Sequence, residues 1–442
     1  MKVKKFILKQ VYDIKTHGTG ELFRKFYLLI KLLGIILADI IAIIPCIIIR
    51  LISPWYIIRI ERLPALNFGD FIDYTAMYYC KKKLKIDQPT KNYIDLVYIH
   101  YKDKVFNKQI AIMWKRKLNF LSGYLLDPIS RVNKLITGWK IHTIEILSSK
   151  PERDFDNLFE KCQPILEFTN EEEIYGKEIL KKFNLTDKDK FVCLSVRDKA
   201  YQLKKIPARY RDWSYHNFRN HNIENFLLAA EELTKRGYYI FRMGVVVEKP
   251  FDSKNPKIID YANSKLRSDF MDVYLGAKCS FCITTSSGFQ AVPVVFGKYC
   301  AVVSHEFALL HLHNKKLLYL TNHYILKKEK RELSLSEIFS TGVAYALDTK
   351  IFDQKGIELI ENSPEEIKDL VLEAAENVES KTKTTIEDEE LQKTFKNLYV
   401  ENYKFLNHMK YLKRYWKNLK FHGEFRACYS TKFLRENKNW LR

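Results

Sequence analysis

The chain has 442 residues, which is enough for two domains with hydrophobic cores of their own. Lysine and arginine outnumber aspartate and glutamate by 74 to 53, so the formal net charge is +21 and an acidic partner is expected. Nucleic acid, anionic lipid and phosphorylated substrates all meet that expectation. Eight scattered cysteines, several inside apolar segments, indicate a reducing compartment and argue against a disulfide framework.

The N-terminal segment, residues 1–55, is first basic and then strongly apolar. Lys31, Asp39 and Arg50 interrupt the apolar part. A central aspartate costs about 2.5–3.5 kcal/mol on insertion scales, so full insertion is marginal. The pattern favours a monotopic or re-entrant membrane anchor over a single membrane span, and a pair of buried core helices is the alternative.

Residues 56–185 show the start of an α/β domain, in which a strand, a glycine-containing loop and a helix follow one another. Beyond residue 148 the pattern loosens into charged helices that lead to the next domain. The predicted elements are strands at 55–62 and 93–101, and helices at 71–81, 107–118 and within 154–183.

Residues 186–380 alternate strands and helices more regularly, which is typical of a doubly wound parallel sheet. In such a sheet, functional groups gather at the carboxyl ends of the strands. Residues 309–328 are predicted to form a loop. The predicted strands are 191–196, 238–244, 257–261, 280–283 and 299–303, and the predicted helices are 223–236, 269–277 and 364–378.

A hydroxyl-rich turn, Thr285-Ser286-Ser287-Gly288, joins a buried strand to a helix start. Backbone N–H groups and hydroxyls at a helix N-terminus suit a phosphate, although an ordinary serine cap has the same sequence pattern. Basic residues near the same sheet edge favour the phosphate interpretation. The residues predicted to join the turn in donor binding are Arg197, Arg242, Gly244, Lys265 and Arg267.

Several common sites are missing from the sequence. It has no Gly-Lys-Ser/Thr phosphate loop, no dinucleotide-binding glycine motif and no serine-hydrolase elbow, which argues against those three enzyme classes. Cys279 and Cys282 are predicted to be core residues, and His311, His313 and His323 lack a metal-ligand spacing. We therefore expect neither a metal site nor a cofactor.

Two α/β domains with the phosphate turn in the second predict a two-domain sugar transferase. The second domain would hold the donor, and the loop after the first strand would meet the acceptor through Asn67 and Gly69. A general base must take a proton from the acceptor hydroxyl. Asp70 is the first candidate, and His216 and Asp198 are its rivals.

A set of motifs is spread from about Arg59 to the C-terminus. It resembles a bacterial family of glycosyltransferases encoded with surface-polysaccharide genes. The family tends to have Gly-His after its first strand, whereas this chain has Gly69-Asp70, which leaves the identity of the base open. The motifs that carry the resemblance are 193–198, 215–220, 242–244, 259–262, 267–275, 285–288, 361–367 and 430–434.

The resemblance implies two Rossmann-like domains facing a cleft (a GT-B-like fold) and metal-independent transfer from a nucleotide-sugar. It also implies a lipid-linked or glycan acceptor, as in O-antigen or capsule synthesis, at the cytoplasmic face of the bacterial inner membrane. The basic, aromatic tail within residues 381–442 suits an anionic membrane surface, or packs back on the fold; nucleic acid is not an expected partner. Two alternatives stay open: a non-enzymatic basic membrane- or RNA-binding protein, and an alditol-phosphate phosphotransferase.

Overall fold

The computed structural model describes residues 2–144, 146, 154, 156–205, 212–285, 287–307, 314–403 and 424–442. Helices and parallel strands alternate through this part of the chain, which confirms the predicted α/β class. The long apolar N-terminal helix is present as well.

The secondary structure follows the predicted order. The helices are α1 (Lys2–Ile52), α2 (Phe68–Lys83), α3 (Lys108–Lys117), α4 (Gly123–Asn133), α5 (Leu158–Lys161), α6 (Asn170–Lys182), α7 (Ala200–Lys205), α8 (Leu227–Lys235), α9 (Asp269–Lys278), α10 (Ala291–Val295), α11 (Leu335–Ser340), α12 (Thr349–Gln354), α13 (Pro364–Val378), α14 (Ile386–Tyr403) and α15 (Thr431–Glu436). The strands are β1 (Tyr56–Arg62), β2 (Asn92–Tyr98), β3 (Lys190–Ser195), β4 (Tyr238–Arg242), β5 (Ile258–Ile259), β6 (Phe281–Thr284), β7 (Tyr299–His305), β8 (Leu317–Thr321), β9 (His323–Leu326), β10 (Arg331–Glu332), β11 (Ile357–Ile360) and β12 (Cys428–Tyr429).

The chain divides into two compact units that are not contiguous in sequence. Unit 1 consists of Met1–Leu63, Gln88–Asp103 and Lys117–Glu145, and unit 2 of Pro64–Asp87, Lys104–Arg116 and Ile146–Arg442. The domain bounds expected from the sequence, 56–185 and 186–380, stay a prediction. Helices α2 and α3, which lie between strands of unit 1 in sequence, thus belong to unit 2.

In unit 1, β1 and β2 form a parallel pair, and α1 packs against α4. Apolar side chains spaced three and four residues apart on α1 form the contact, as expected for one face of a helix. The shared core contains Ala42, Cys46, Ile49, Ile60, Tyr98, Leu126, Ile129 and Val132.

Unit 2 is built on a parallel sheet with the strand order β12-β8-β7-β6-β3-β4-β5. Its central strands are buried along their length, as in sheets covered by helices on both faces. Cys193, Cys282 and Cys300 are register partners on β3, β6 and β7 and are fully buried. Cys279, which ends α9, is equally buried, so both cysteines of the C-x-x-C pair are core residues as predicted.

The prediction of a loop over 309–328 is wrong for the part of that segment that the structure describes. Leu317–Thr321 forms β8, which is buried throughout and pairs with β7 and β12. The apolar run is short and lysines precede it, so its strand character was weak in the sequence. His323 begins β9 in a small antiparallel sheet of β10, β9 and β11. His311 and His313 lie outside the described residues.

Near the C-terminus, the predicted start of α13 is confirmed in detail. Ser363 caps the helix, Pro364 is its first residue and Glu366 completes the capping box. Most of the basic tail, residues 404–423, lies outside the described residues. Residues 424–442 pack back on unit 2: β12 extends the main sheet, and the rings of Tyr429 and Trp440 contact Phe395 of α14.

Candidate functional site

A cavity of about 740 Å³ lies within unit 2 at the carboxyl ends of β3, β4 and β6. This is where ligands bind in doubly wound sheets, and the volume is in the usual range for a small-molecule site. Segments from several parts of unit 2 line it. The predicted site residues among its walls are Asn67, Gly69, Asp70, Arg197, Asp198, His216, Gly244, Ser287 and Gly288.

The first turn of α2 forms one wall of the cavity. Asp70 lies in this turn, where the helix dipole stabilises a carboxylate. Its Oδ2 accepts a hydrogen bond of 2.8 Å from Asn67 Nδ2, and the side chain is partly exposed. One turn further on, burial and the charges of Asp70 and Asp154 raise the pKa of Asp73 to about 8. Asp73 is therefore mainly protonated at neutral pH and adds little negative charge beside Asp70.

Two glycines bring α2 into backbone contact with the turn after β6. A Cβ atom on Gly69 would lie 3.2 Å from Gly288 Cα, and one on Gly288 would lie 3.1 Å from Gly69 N. Contacts this short are tighter than most Cβ contacts, so a side chain at either position would require the facing backbone to shift by a few tenths of an ångström. The start of α2 and the turn that leads into α10 therefore meet at one side of the cavity.

Hydroxyl groups tie that turn to the end of β3. Ser287 Oγ lies 3.1 Å from Ser195 Oγ and 3.1 Å from Thr284 Oγ1. Thr285 is fully buried, and its Oγ1 accepts a hydrogen bond of 2.9 Å from the Arg197 backbone N–H. Thr285 thus positions Arg197 and does not line the cavity. Ser286, predicted to bind the donor, lies outside the described residues.

Arg197 directs a cationic side chain to the cavity wall. Its Nη1 donates to Asn220 Oδ1 at 2.5 Å and to the His216 carbonyl at 3.4 Å. Its Nη2 is buried and has no hydrogen-bond partner among the described residues. Burial and the nearby Arg219 lower the pKa of Arg197 to about 10, so the side chain is still protonated at neutral pH.

A second cation of the site, Arg219, was missed from the sequence. It lines the cavity at the end of the 3₁₀ helix Ser214–Arg219, with its Nε 3.9 Å from Oε1 of the buried Glu306. Burial and the charges of Arg197 and Arg219 lower the pKa of His221 to about 3, so this imidazole is neutral. The signal that could have identified Arg219 is its position in the loop after β3, which begins close to Arg197. Two arginines in one such loop can bind the same phosphate group.

The rival bases have structural contacts of their own. Asp198 accepts backbone hydrogen bonds at both oxygens, from Ala200 N and Glu248 N, each at 2.9 Å. It thereby links the loop after β3 to the loop after β4. His216 lies with its ring 4.0 Å from that of Tyr215. Asp70 accepts a side-chain amide hydrogen bond, and the choice of base among these three residues stays a prediction.

Besides Thr285, three predicted donor residues do not line the cavity. Arg242 is 1% exposed, and it donates to Asp260 Oδ1 at 3.1 Å and to the Lys249 carbonyl at 3.0 Å. Arg267 lies 2.6 Å from Asp272, whose side chain does reach the cavity. Lys265 is exposed and outside the lining. Their roles in donor binding stay predictions.

Aromatic and aliphatic side chains complete the walls. Trp213 and Tyr215 stack with their ring centroids 6.3 Å apart, and Phe106 meets Tyr201 at 5.3 Å. Cations, helix N-termini and flat apolar surfaces in one cavity suit a ligand that carries a phosphate together with a ring system.

Among the described residues, no group of three histidine, cysteine or acidic side chains could hold a metal ion. Both ring nitrogens of His323 are occupied by carboxylates, at 2.8 Å from Glu332 and 3.0 Å from Glu366. The cations that the described cavity walls offer to an anion are therefore arginine side chains.

No protein-family model and no curated protein matches this chain. The solved structures that match this chain include the following two. The glycosyl transferase family 9 protein from Veillonella parvula is 14% identical, with a TM-score of 0.43 over 74% of this chain and 98% of that one. The E. coli ADP-heptose LPS heptosyltransferase II is 10% identical, with a TM-score of 0.31 over 55% and 84%.

Proposed function

We propose that this protein is a glycosyltransferase that moves a sugar from a nucleotide-activated donor to a hydroxyl group of an acceptor. The observation that carries the proposal is the meeting of two arginines, a helix N-terminus and the Asp70 carboxylate around one cavity. A diphosphate needs the cations, and an acceptor hydroxyl needs the base.

In the proposed reaction, the acceptor oxygen attacks the anomeric carbon of the donor sugar. Asp70 takes the hydroxyl proton while the bond between sugar and diphosphate breaks. Arg197 and Arg219 stabilise the negative charge that develops on the departing phosphate. The aromatic wall near Trp213 and Tyr215 would hold a flat part of the donor or acceptor.

The acceptor proposed is a lipid-linked glycan of the O-antigen or capsule type, made at the cytoplasmic face of the inner membrane. The support is the long apolar helix α1, which carries exposed isoleucine, leucine and phenylalanine side chains. An enzyme held at a membrane surface would meet a lipid-linked acceptor there. The resemblance to surface-polysaccharide glycosyltransferases, carried by the motifs quoted above, points the same way.

The test is to incubate the purified protein with a panel of nucleotide-sugars, a lipid-linked glycan acceptor and EDTA, and to identify both products. A glycosyltransferase leaves all the phosphate of the donor on the released nucleotide. The acceptor then gains a sugar but no phosphorus. Transfer of a phosphorylated alditol from a CDP-alditol would identify the phosphotransferase alternative. The absence of any transfer, together with tight salt-sensitive RNA binding, would support the non-enzymatic alternative.

A further inference from the structure

Helix α1 is fixed to unit 1 along one side only. Asp39 lies 2.6 Å from Arg131 of α4, Cys46 Sγ donates to the Ile129 carbonyl at 3.4 Å, and Arg50 Nη2 donates to Asn133 Oδ1 at 2.6 Å. These contacts extend from Asp39 to Arg50, which is about 16 Å along α1 at about 1.5 Å per residue. The aspartate that interrupts the apolar segment is therefore paired with an arginine of unit 1.

The opposite side of α1 is apolar and exposed. Asp39 and Arg50 lie on the side of α1 that contacts α4, which we call the docked side. Lys31 lies on this side too, because it is eighteen residues, or five full turns, before the buried Ile49. From Phe26 onward, every charged side chain of α1 thus lies toward the docked side. Exposed large side chains on the other side include Ile40, Ile44, Ile47 and Leu51, with exposures of 49–67%.

This geometry conflicts with a helix that crosses a bilayer. The uncharged part of α1 ahead of the docked segment, residues 32–38, is about 10 Å long at about 1.5 Å per residue, against about 30 Å for the hydrocarbon core. A longer insertion would carry Arg131, Asp127 and Asn133 of α4 into the hydrocarbon, where charged groups are costly.

Exposed aromatic rings flank the apolar part of α1, as is typical of a membrane interface. Tyr27, with Lys31 Nζ 5.8 Å from its ring centroid, and Trp55, just after the end of α1, are 62% and 76% exposed, and aromatic rings of this kind favour the headgroup region. Arg24 and Lys25 precede the apolar part, and the whole chain is strongly cationic, which complements anionic headgroups.

We propose that α1 lies in the plane of an anionic bilayer surface, with its exposed isoleucine face in the lipid, and does not cross the membrane. The chain segment ahead of the docked part then stays on the same side of the membrane as unit 2. This arrangement does not depend on the reaction that the protein catalyses.

The side of the membrane can be measured with single cysteines in the full-length protein in bacterial membranes. Thr19→Cys and Lys188→Cys place exposed thiols near the start of the exposed helix and on unit 2. Seven of the eight native cysteines are buried, so labelling is scored as the increase over the parent protein. A membrane-impermeant maleimide should label both positions in inverted vesicles and neither in intact spheroplasts. Labelling of the two positions from opposite sides would overturn the proposal.

A second experiment tests the lipid-facing side with a matched control. Ile40→Lys/Ile44→Lys adds two charges to the exposed face of α1, and Ile174→Lys/Ile386→Lys makes the same changes at two isoleucines of unit 2 that are 61% and 79% exposed. In flotation with phosphatidylglycerol vesicles, the first pair should lower the bound fraction at least tenfold and the second should leave it unchanged. Equal binding of both variants, or no binding by the parent protein, would contradict the proposal.

Discussion

At the scale of single residues, Asp70 is the proposed general base. The Asp198 carboxylate already accepts two backbone hydrogen bonds, which suits a residue that holds two loops together. We expect Asp70→Asn to lower kcat by a factor of about 10² or more, in keeping with general base catalysis, and to leave the melting temperature nearly unchanged. Asp198→Asn, by contrast, should lower the melting temperature, because it weakens the hydrogen bonds from Ala200 N and Glu248 N.

Steady-state kinetics and thermal melts of these two variants separate the assignments. Loss of turnover in Asp198→Asn at an unchanged melting temperature, with an active Asp70→Asn enzyme, would transfer the base role to Asp198.

His323 provides a prediction for stability. Although burial opposes its charge, the carboxylates of Glu332 and Glu366 raise the pKa of His323 to about 10. The folded state thus binds the proton more tightly than the unfolded state, whose histidine has a pKa of about 6.5. The stabilisation is complete below about pH 6.5 and is lost as the pH rises toward 10.

The change is His323→Gln, and the measurement is the free energy of unfolding between pH 6 and 10. Near pH 6 the variant should be less stable by on the order of 5 kcal/mol, since the pKa of His323 is raised from 6.5 to about 10 and one pKa unit corresponds to about 1.4 kcal/mol. This difference should shrink as the pH rises. A difference that does not vary with pH would show that the charge on His323 contributes nothing.

The sequence identified residue types better than side-chain directions. Arg197 and Ser287 follow β3 and β6, and the parallel sheet of unit 2 places both at one cavity, whereas Asp70 reaches the same cavity through α2. Arg242 was selected by the same argument, yet its side chain turns to Asp260. A strand-end arginine can point to either side of the sheet edge, and partners distant in sequence decide between them.

At the scale of elements, the contact between α2 and the turn after β6 is the most demanding feature. Gly288→Ala would place a methyl group 3.1 Å from Gly69 N, and neither backbone segment can yield cheaply. We expect a loss of about 1–3 kcal/mol in unfolding free energy, as for other overpacked contacts, and a marked loss of activity, because both segments line the cavity.

The control for this prediction is Gly34→Ala, where a Cβ atom would meet nothing within 4 Å. Urea unfolding and turnover assays of the two variants decide the matter. If Gly288→Ala were as stable and as active as the parent, the backbone contact would be unimportant for the site.

Sequence patterns predict helices and strands where the deciding contacts are local, and they do not predict contacts between residues far apart in sequence. The start of α13 at Ser363, Pro364 and Glu366 is predictable because all its contacts lie within four residues. The strand β8 was missed because its burial depends on β7 and β12, which are far apart in sequence. The assignment of α2 and α3 to unit 2 likewise depends on contacts that no local pattern records.

At the scale of the whole molecule, the central claim is that the cavity binds a nucleotide-sugar through arginines and without a metal. The direct measurement is calorimetric titration of the protein with UDP-, GDP-, ADP- and CDP-sugars in EDTA. The matched comparison is the Arg197→Ala/Arg219→Ala double variant, with Arg236→Ala, a surface arginine paired with Glu376, as the control. We predict that at least one nucleotide-sugar binds, that the double variant weakens its affinity at least tenfold and that Arg236→Ala does not. Binding of none of them, or equal affinity in the double variant, would contradict the account.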